Sequence, residues 1–296
     1  MTLDALKAGG KRDIARTLSR LDREYLADDD VALLDAAFHA PQGLVIGLTG
    51  PPGVGKSTLT QGLLEHVRRG GRSVGVIAID PSSQTTGGAL LGDRTRLSLN
   101  PDDRHVFVRS LAARNRLGGL SDHAIAATML LRALFDVVLV ETVGIGQSDS
   151  DIALIADRSV VCIQPGSGDA LQFMKAGIME WPDVICVTKA DMGKPAQRAF
   201  ADVEGALGLA SFTTDQPTVF LISAKTGHEI SPLAMQLTRS GSLSRQYQPY
   251  ALVKDAVQRR FGTFGAENCD IASALEQADG PFGAIAQIRR VLEETP

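Results

Sequence analysis

The chain has 296 residues and a mass of 31.3 kDa, with 44% hydrophobic and 22% charged residues. These proportions are those of an average globular protein, so they exclude a disordered or fibrous chain. The 34 acidic residues outnumber the 30 basic ones, giving a formal charge of −4. The chain therefore lacks the basic excess of a general nucleic-acid-binding protein, and we expect no nucleic-acid partner.

Helical and strand patterns follow one another along the chain. Residues 11–39 predict two helices, and seven runs rich in Val, Ile and Leu then predict strands at 44–48, 73–79, 105–110, 136–140, 159–164, 183–187 and 218–223. Further helices are predicted at 56–69, 121–133, 194–207, 231–239, 249–260, 270–278 and 283–294. Apolar runs that alternate with helices are typical of a mainly parallel sheet covered on both faces.

The order of these patterns predicts three parts. Residues 1–40 form an N-terminal helical extension, residues 41–240 an α/β domain, and residues 241–296 a C-terminal helical segment for dimerisation or partner contact. Because strand patterns end before the last part, we expect that segment to be an appendage of the α/β domain.

Nothing in the sequence predicts export or a membrane anchor. No apolar run approaches the ~18–20 residues of a spanning helix, and the first residues do not match a signal peptide. The three cysteines lie far apart, and Cys162 and Cys186 fall within predicted buried strands, which indicates structural thiols. We therefore expect a cytoplasmic protein without membrane contact.

A glycine-rich segment directly follows the first predicted strand. Residues 50–57, Gly-Pro-Pro-Gly-Val-Gly-Lys-Ser, match the pattern GxxxxGK[ST] between a strand and a helix, which is a P-loop. Its backbone N–H groups surround a polyphosphate at the positive end of the following helix. Lys56 is expected to reach the β- and γ-phosphates, and Ser57 to ligate Mg²⁺. The predicted phosphate-binding residues are Gly50, Gly53, Val54, Gly55, Lys56, Ser57 and Thr58.

Two later strand ends indicate which base is bound. Residues 188–191 (Thr-Lys-Ala-Asp) and 223–225 (Ser-Ala-Lys) resemble the NKxD and SAK motifs of GTPases. A carboxylate at Asp191 can accept both the ring N–H and the exocyclic amine of guanine, so GTP and GDP are the expected nucleotides. The predicted base-binding residues are Thr188, Lys189, Asp191, Ser223, Ala224 and Lys225. Thr188 replaces the Asn of the motif, so we expect weaker affinity rather than a different base.

Acidic residues follow two of the predicted strands. Glu141 ends a strand three residues before Gly144, which is where P-loop enzymes organise Mg²⁺ and contact the γ-phosphate through a glycine N–H. Asp80 ends another strand, and Asp93 lies in a polar segment, 85–96, that suits a switch loop. A role as a helix cap or turn acid is the alternative for Asp80 and Asp93.

Several further strings resemble one family over residues ~10–230. They are Asp80–Ser83, Gly87–Arg96, Gly118–Gly119, Glu141–Ser148, Gln164–Asp169 and Lys175–Glu180. Together they resemble the MeaB/ArgK family, GTPase chaperones of methylmalonyl-CoA mutase and related adenosylcobalamin-dependent acyl-CoA mutases.

The resemblance implies a P-loop GTPase of the metallochaperone type, with GTP or GDP and Mg²⁺ as ligands. It implies a homodimer joined by C-terminal helices, and hydrolysis coupled to loading, protecting or repairing adenosylcobalamin, which belongs to the client mutase. Asp80, Asp93 and Glu141 would be the acids around Mg²⁺ and the attacking water. The implied catalytic residues are Lys56, Asp93, Glu141 and Gly144, and the implied metal ligands are Ser57, Asp80, Asp93 and Glu141. Gln147 and Asp149 would lie in a second switch that contacts the mutase.

The sequence also departs from the family pattern. Residues 172–174 and the tail from ~240 differ from it. The resemblance therefore implies methylmalonyl-CoA mutase, or a variant such as isobutyryl- or 2-hydroxyisobutyryl-CoA mutase, as the expected client. Two alternatives remain open: a GTPase of a nickel-insertion pathway, and a P-loop kinase. The five histidines are not spaced as metal ligands, and no acceptor pocket for a kinase is recognisable.

Overall fold

Seven strands form one parallel sheet. The computed structural model describes residues 1–80, 102–113, 120–144, 147–166, 181–209, 216–239 and 249–294. Within them the strands are β1 (Leu44–Thr49), β2 (Val74–Asp80), β3 (Val106–Ala112), β4 (Val137–Glu141), β5 (Arg158–Ile163), β6 (Val184–Val187) and β7 (Thr218–Leu221). Their order is β3-β2-β4-β1-β5-β6-β7, and every neighbouring pair is parallel. The seven predicted strands and the parallel sheet are confirmed.

The described helices precede, separate and follow these strands along the chain. They are α1 (Leu3–Leu21), α2 (Asp28–His39), α3 (Lys56–Arg69), α4 (Asp122–Arg132), α5 (Lys194–Leu209), α6 (Ile230–Thr238), α7 (Pro249–Asn268), α8 (Ile271–Gln277) and α9 (Pro281–Glu294). Short 3₁₀ helices span Gln147–Leu154 and Ala190–Met192. None of the helices in the described stretches is both long and apolar enough to span a membrane.

The first helix begins earlier than predicted. It starts at Leu3 rather than near residue 11, because the Thr2 hydroxyl caps it by accepting a bond from the Ala5 N–H, 3.3 Å away. The Gly-Gly pair at 9–10 produces a kink, since Gly10 has φ 69° within the helix. Glycine tolerates that conformation, so the helical path resumes after it.

The chain packs as two compact units. The α/β unit, residues 44–121 and 135–243, contains the whole sheet. Alternate residues of β5 enter two different cores: Cys162 packs with Leu63 of α3 and Leu233 of α6, whereas Val161 packs with Val203 of α5. Because successive strand side chains point to opposite faces, helices cover both sides of this sheet.

The helical unit comprises residues 1–43, 122–134 and 244–296. It therefore joins the N-terminal helices, α4 and the C-terminal helices, with Val253, Val257, Ile271 and Ile288 in its core. These core residues all lie on the C-terminal helices, which pack against one another. The predicted domain boundaries at residues 40 and 240 stay a prediction.

Two matching Ser–Asp pairs lie where strands begin. Asp136, just before β4, accepts bonds from the backbone N–H and the hydroxyl of Ser73, both at 2.7 Å. Asp183, just before β6, does the same with Ser159 at 2.7 and 2.8 Å. Since β4 and β6 are only five and four residues long, these contacts also fix where their carboxyl ends lie.

The cysteines in the strands are structural, as predicted. Cys162 and Cys186 are free, fully buried and paired in register on β5 and β6. Burial raises the pKa of Cys162 to about 12 and raises that of Cys186 as well. Both side chains are therefore neutral thiols at physiological pH and act as small apolar groups.

Asp35 of α2 caps the start of α9. Its Oδ1 accepts from the Phe282 N–H and its Oδ2 from the Gly283 N–H, both at 2.9 Å. The side chain is buried, and burial raises the pKa of Asp35 while these two bonds oppose the rise. One carboxylate thus satisfies two N–H groups that the first turn of a helix cannot pair internally.

We expect Asp35→Ala to lower the free energy of unfolding by about 1–3 kcal/mol, because the N–H groups of Phe282 and Gly283 lose their acceptor. Urea unfolding followed by circular dichroism measures the change. The matched control is Asp279→Ala, an exposed acid just before the same helix. Equal midpoints for Asp35→Ala and wild type would show that the cap contributes nothing to stability.

Candidate nucleotide-binding site

The loop between β1 and α3 packs backbone to backbone against two other strand ends. A Cβ added to Gly50 would overlap the carbonyl oxygen of Cys162 on β5, and a Cβ added to Gly144 after β4 would overlap that of Gly50. Gly50 and Gly144 also have φ values of 137° and 72°. Only glycine fits both positions. The missing side chains allow the predicted phosphate loop to lie directly against Gly144 and the end of β5.

Lys56 begins α3 and turns back into the loop. Its Nζ donates to the carbonyl oxygen of Gly50 at 2.6 Å and lies 3.2 Å from that of Pro51 and 3.5 Å from that of Val143. The residue is only 7% exposed. The ammonium group is therefore held between the loop and the end of β4, among the residues predicted to bind phosphate.

Two buried acids lie at the ends of adjacent strands, and a hydroxyl at the start of α3 reaches one of them. The Ser57 hydroxyl donates to Glu141 Oε1 at 2.7 Å. Glu141 pairs in register with Ala78, two residues before Asp80 on the neighbouring strand, and both acids are buried. Hydroxyl and carboxylate oxygens are the donors that Mg²⁺ prefers, so these residues fit the predicted magnesium site.

The hydroxyl of Thr188 connects the phosphate loop to the sheet. Its Oγ1 lies 2.8 Å from the carbonyl oxygen of Val54 and 3.1 Å from that of Ile163. A hydroxyl has one proton, so it donates fully to only one of the two carbonyls at a time. Threonine thus keeps a link between the predicted base-binding segment and the phosphate loop, with fewer donors than an amide offers.

Lys189 makes a second link to the same loop. Its Nζ donates to the Gly53 carbonyl oxygen at 2.9 Å and to Gln164 Oε1 at 2.8 Å. Lys189 also has φ 58°, an uncommon value for a residue with a side chain.

The sequence analysis did not assign Gln164 a role in the site. The signal that the sequence offers is a polar residue at the end of a predicted strand, and its closeness to Lys189 follows from the strand order.

The predicted guanine-binding acid follows the same strand end. Ser223 is buried, and its hydroxyl donates to Asp191 Oδ1 at 2.7 Å. This hydrogen bond, more than the nearby charges of Lys225 and Lys189, lowers the pKa of Asp191. Asp191 itself is exposed, so it presents an ionised acceptor at the surface.

The structure thus brings two groups of predicted residues to one edge of the sheet. The phosphate group comprises Gly50, Gly53, Val54, Gly55, Lys56, Ser57, Asp80, Glu141 and Gly144. The base group comprises Thr188, Lys189, Asp191, Ser223, Ala224 and Lys225, after β6 and β7. Thr58 lies exposed in the first turn of α3. Asp93 and the side chains of Gln147 and Asp149 lie outside the described residues, and the assigned roles stay predictions.

Comparison with known proteins gives the family. The family model described as "Methylmalonyl Co-A mutase-associated GTPase MeaB" matches residues 15–253. The chain belongs to the MeaB family of GTPases.

Named relatives agree with this assignment. A protein of Pyrococcus horikoshii named as a GTPase is 43% identical over 192 residues, 64% of this chain and 60% of that protein. The chain thus spans about three fifths of that relative's length. GTPase ArgK of Escherichia coli K12 is 35% identical over 82% of this chain and 78% of its own length. A solved structure of a protein named LAO/AO transport system kinase has a TM-score of 0.68 and 25% identity, covering 98% of this chain and 96% of its own.

Within this MeaB-family site, we expect Thr188→Val to weaken GDP binding about threefold to tenfold. The substitution keeps the shape of the side chain but removes a hydrogen bond of about 0.5–1.5 kcal/mol to the phosphate loop. Titration with a fluorescent GDP analogue measures the dissociation constant.

Thr188→Ser is the matched control, because it keeps the hydroxyl and should bind GDP as wild type does. Thr188→Asn, which supplies two N–H donors for two carbonyls, should bind at least as tightly. Wild-type affinity in the valine variant would contradict the anchoring role.

Proposed function

We propose that this chain hydrolyses GTP and thereby gates the loading, protection or repair of adenosylcobalamin on an acyl-CoA mutase. The observation that carries the proposal is the position of Asp191. Its ionised carboxylate follows β6, on the sheet edge that bears Lys56 and Ser57. A base acceptor and a phosphate loop on one edge suit a guanine nucleotide, and the family name supports the mutase as partner.

In this proposal the chain's own groups prepare the phosphates for attack by water. Lys56 exchanges carbonyl partners for phosphate oxygens, and the loop N–H groups and the Gly144 N–H surround the same charge. Ser57, Asp80, Asp93 and Glu141 are proposed to hold Mg²⁺, which offsets phosphate charge when bound. Such fixed donors lower the activation free energy by several kcal/mol, because they already point to where negative charge develops in the transition state.

The client side of the proposal rests on the family. The matching family is described as associated with methylmalonyl-CoA mutase, which supports an acyl-CoA mutase as the partner. Adenosylcobalamin then belongs to the client, and this chain acts as a metallochaperone. Gln147 and Asp149 are proposed to lie in the segment that contacts the mutase and transmits hydrolysis to it.

The test compares GTP and ATP hydrolysis with and without purified methylmalonyl-CoA mutase and each variant mutase. We expect slow GTP turnover alone, faster turnover with the client, and little ATP turnover.

Asp191→Asn should lose the preference for GTP, whereas Asp202→Asn, at an exposed acid on α5, should keep it. Preference for ATP in wild type would refute guanine selectivity. Failure of every mutase to bind or change the rate would refute the chaperone role alone.

A kinase is the second candidate, supported by the likeness of nearly the whole chain to the solved LAO/AO transport system kinase. The two activities differ in where the γ-phosphate goes. Hydrolysis transfers it to water and releases inorganic phosphate, whereas a kinase transfers it to an acceptor hydroxyl, nitrogen or carboxylate. Radiolabelled γ-phosphate recovered on a protein or small molecule in place of inorganic phosphate would favour the kinase.

We also propose that the chain forms a homodimer through its C-terminal helices. Phe264 on α7 and Val291 on α9 are 76% and 60% exposed, which is unusual for large apolar side chains. A Cβ added to Gly265 would lie 3.7 Å from Leu292 Cδ1, so α7 and α9 run close together where Phe264 and Val291 lie next to these two residues.

Light scattering at micromolar concentration tests the dimer. We expect the wild type to have twice the mass of one chain, and Phe264→Glu to shift it to the monomer because a buried charge disfavours association. Leu209→Glu, an exposed apolar residue on α5, is the control and should remain dimeric. A monomeric wild type would refute the proposal.

A further inference from the structure

Both oxygens of the Glu141 carboxylate are bound by helix α3. Ser57 donates to Oε1 at 2.7 Å, and Thr60 donates to Oε2 at 3.0 Å. Thr60 is fully buried and Glu141 is 7% exposed. The Thr60 hydroxyl and the far oxygen of Glu141 therefore lie where water does not compete with the bond.

The Thr60 hydroxyl differs from those of three other residues in the described helices. Ser19, Thr128 and Thr238 donate to the carbonyl oxygen four residues earlier in their own helices, at 2.7–3.0 Å. That is the usual local bond of a helical Ser or Thr. Thr60 instead donates to a side chain at the end of β4, so its bond joins two elements.

The spacing explains how one helix holds both oxygens. Ser57 and Thr60 are three residues apart, so they lie on the same face of α3. Ser57 binds one oxygen of the carboxylate and Thr60 binds the other, so the two donors together resist its rotation about the terminal bond. The Ser57 oxygen meanwhile keeps lone pairs for a metal ion, since a hydroxyl accepts as well as donates.

We propose that Thr60 is a positioning residue for Glu141 that holds the carboxylate plane so that Oε1 stays on Ser57. The inference rests on the proposed function, in which Ser57 and Glu141 hold Mg²⁺ beside GTP. In this role Thr60 is not itself a ligand of the nucleotide or the metal. It acts through Glu141, as an outer partner that orients a metal-binding group.

Thr60→Val tests the inference, because valine keeps the shape and removes the hydroxyl. We expect the Mg²⁺ concentration that half-maximally slows release of a fluorescent GDP analogue to rise about tenfold. GDP affinity without Mg²⁺ should be unchanged. The kcat for GTP should fall about tenfold at fixed Mg²⁺ with little change in KM. Thr60→Ser should restore wild-type values. Thr60→Ala should behave as Thr60→Val does, and it takes the place of the valine variant if that variant does not fold.

Thr128→Val is the matched control, since it also removes a fully buried hydroxyl from a helix. It should leave the Mg²⁺ dependence of GDP release unchanged. Equal Mg²⁺ dependence in Thr60→Val and wild type, or a Thr60→Ser variant as impaired as Thr60→Val, would overturn the inference. A wild type that binds GDP but does not hydrolyse GTP would refute the proposed function, while the release assay would still decide the role of Thr60.

Discussion

The close approach of backbone at three strand ends is the constraint on which the candidate site depends. Gly50 lies against Cys162 on one side and Gly144 on the other, with no space for a Cβ at either glycine. The loop after β1 is thereby pressed onto the ends of β4 and β5. That contact sets the carbonyl oxygens that hold Lys56, and it brings the N–H of Gly144 beside the same loop. If the loop after β1 lay farther from the ends of β4 and β5, these groups would not meet, because they belong to different segments of the chain.

Hydroxyl groups connect the parts of the site. Ser57 reaches Glu141, Thr188 reaches the loop carbonyl of Val54, and Ser223 reaches Asp191. A hydroxyl is short, accepts as well as donates, and carries no charge to bury. It can therefore fix an acid or a loop inside the sheet edge without the desolvation cost that a buried lysine or arginine would add.

Much of this architecture follows from local patterns. The run of Val, Ile and Leu in each strand reflects burial on both faces, and α3 spans the predicted residues 56–69 because its apolar face repeats at helical spacing. The start of α1 was predicted too late, because a glycine pair interrupts that periodicity. Gln164 and Thr60 were not recognised as site residues, since each is defined by a partner on a strand or segment distant in the chain.

The sequence by itself determined the parallel sheet, the phosphate loop and the identity of the acids and hydroxyls at the strand ends. These depend on residue type and short spacing, which a single chain displays directly. The tertiary structure alone decided which of those groups touch. Glu141 meets Ser57 and Thr60 because β1 lies beside β4, and Lys189 meets Gln164 because β5 lies beside β6. Strand order arises from packing across the whole sheet, and no local pattern records it.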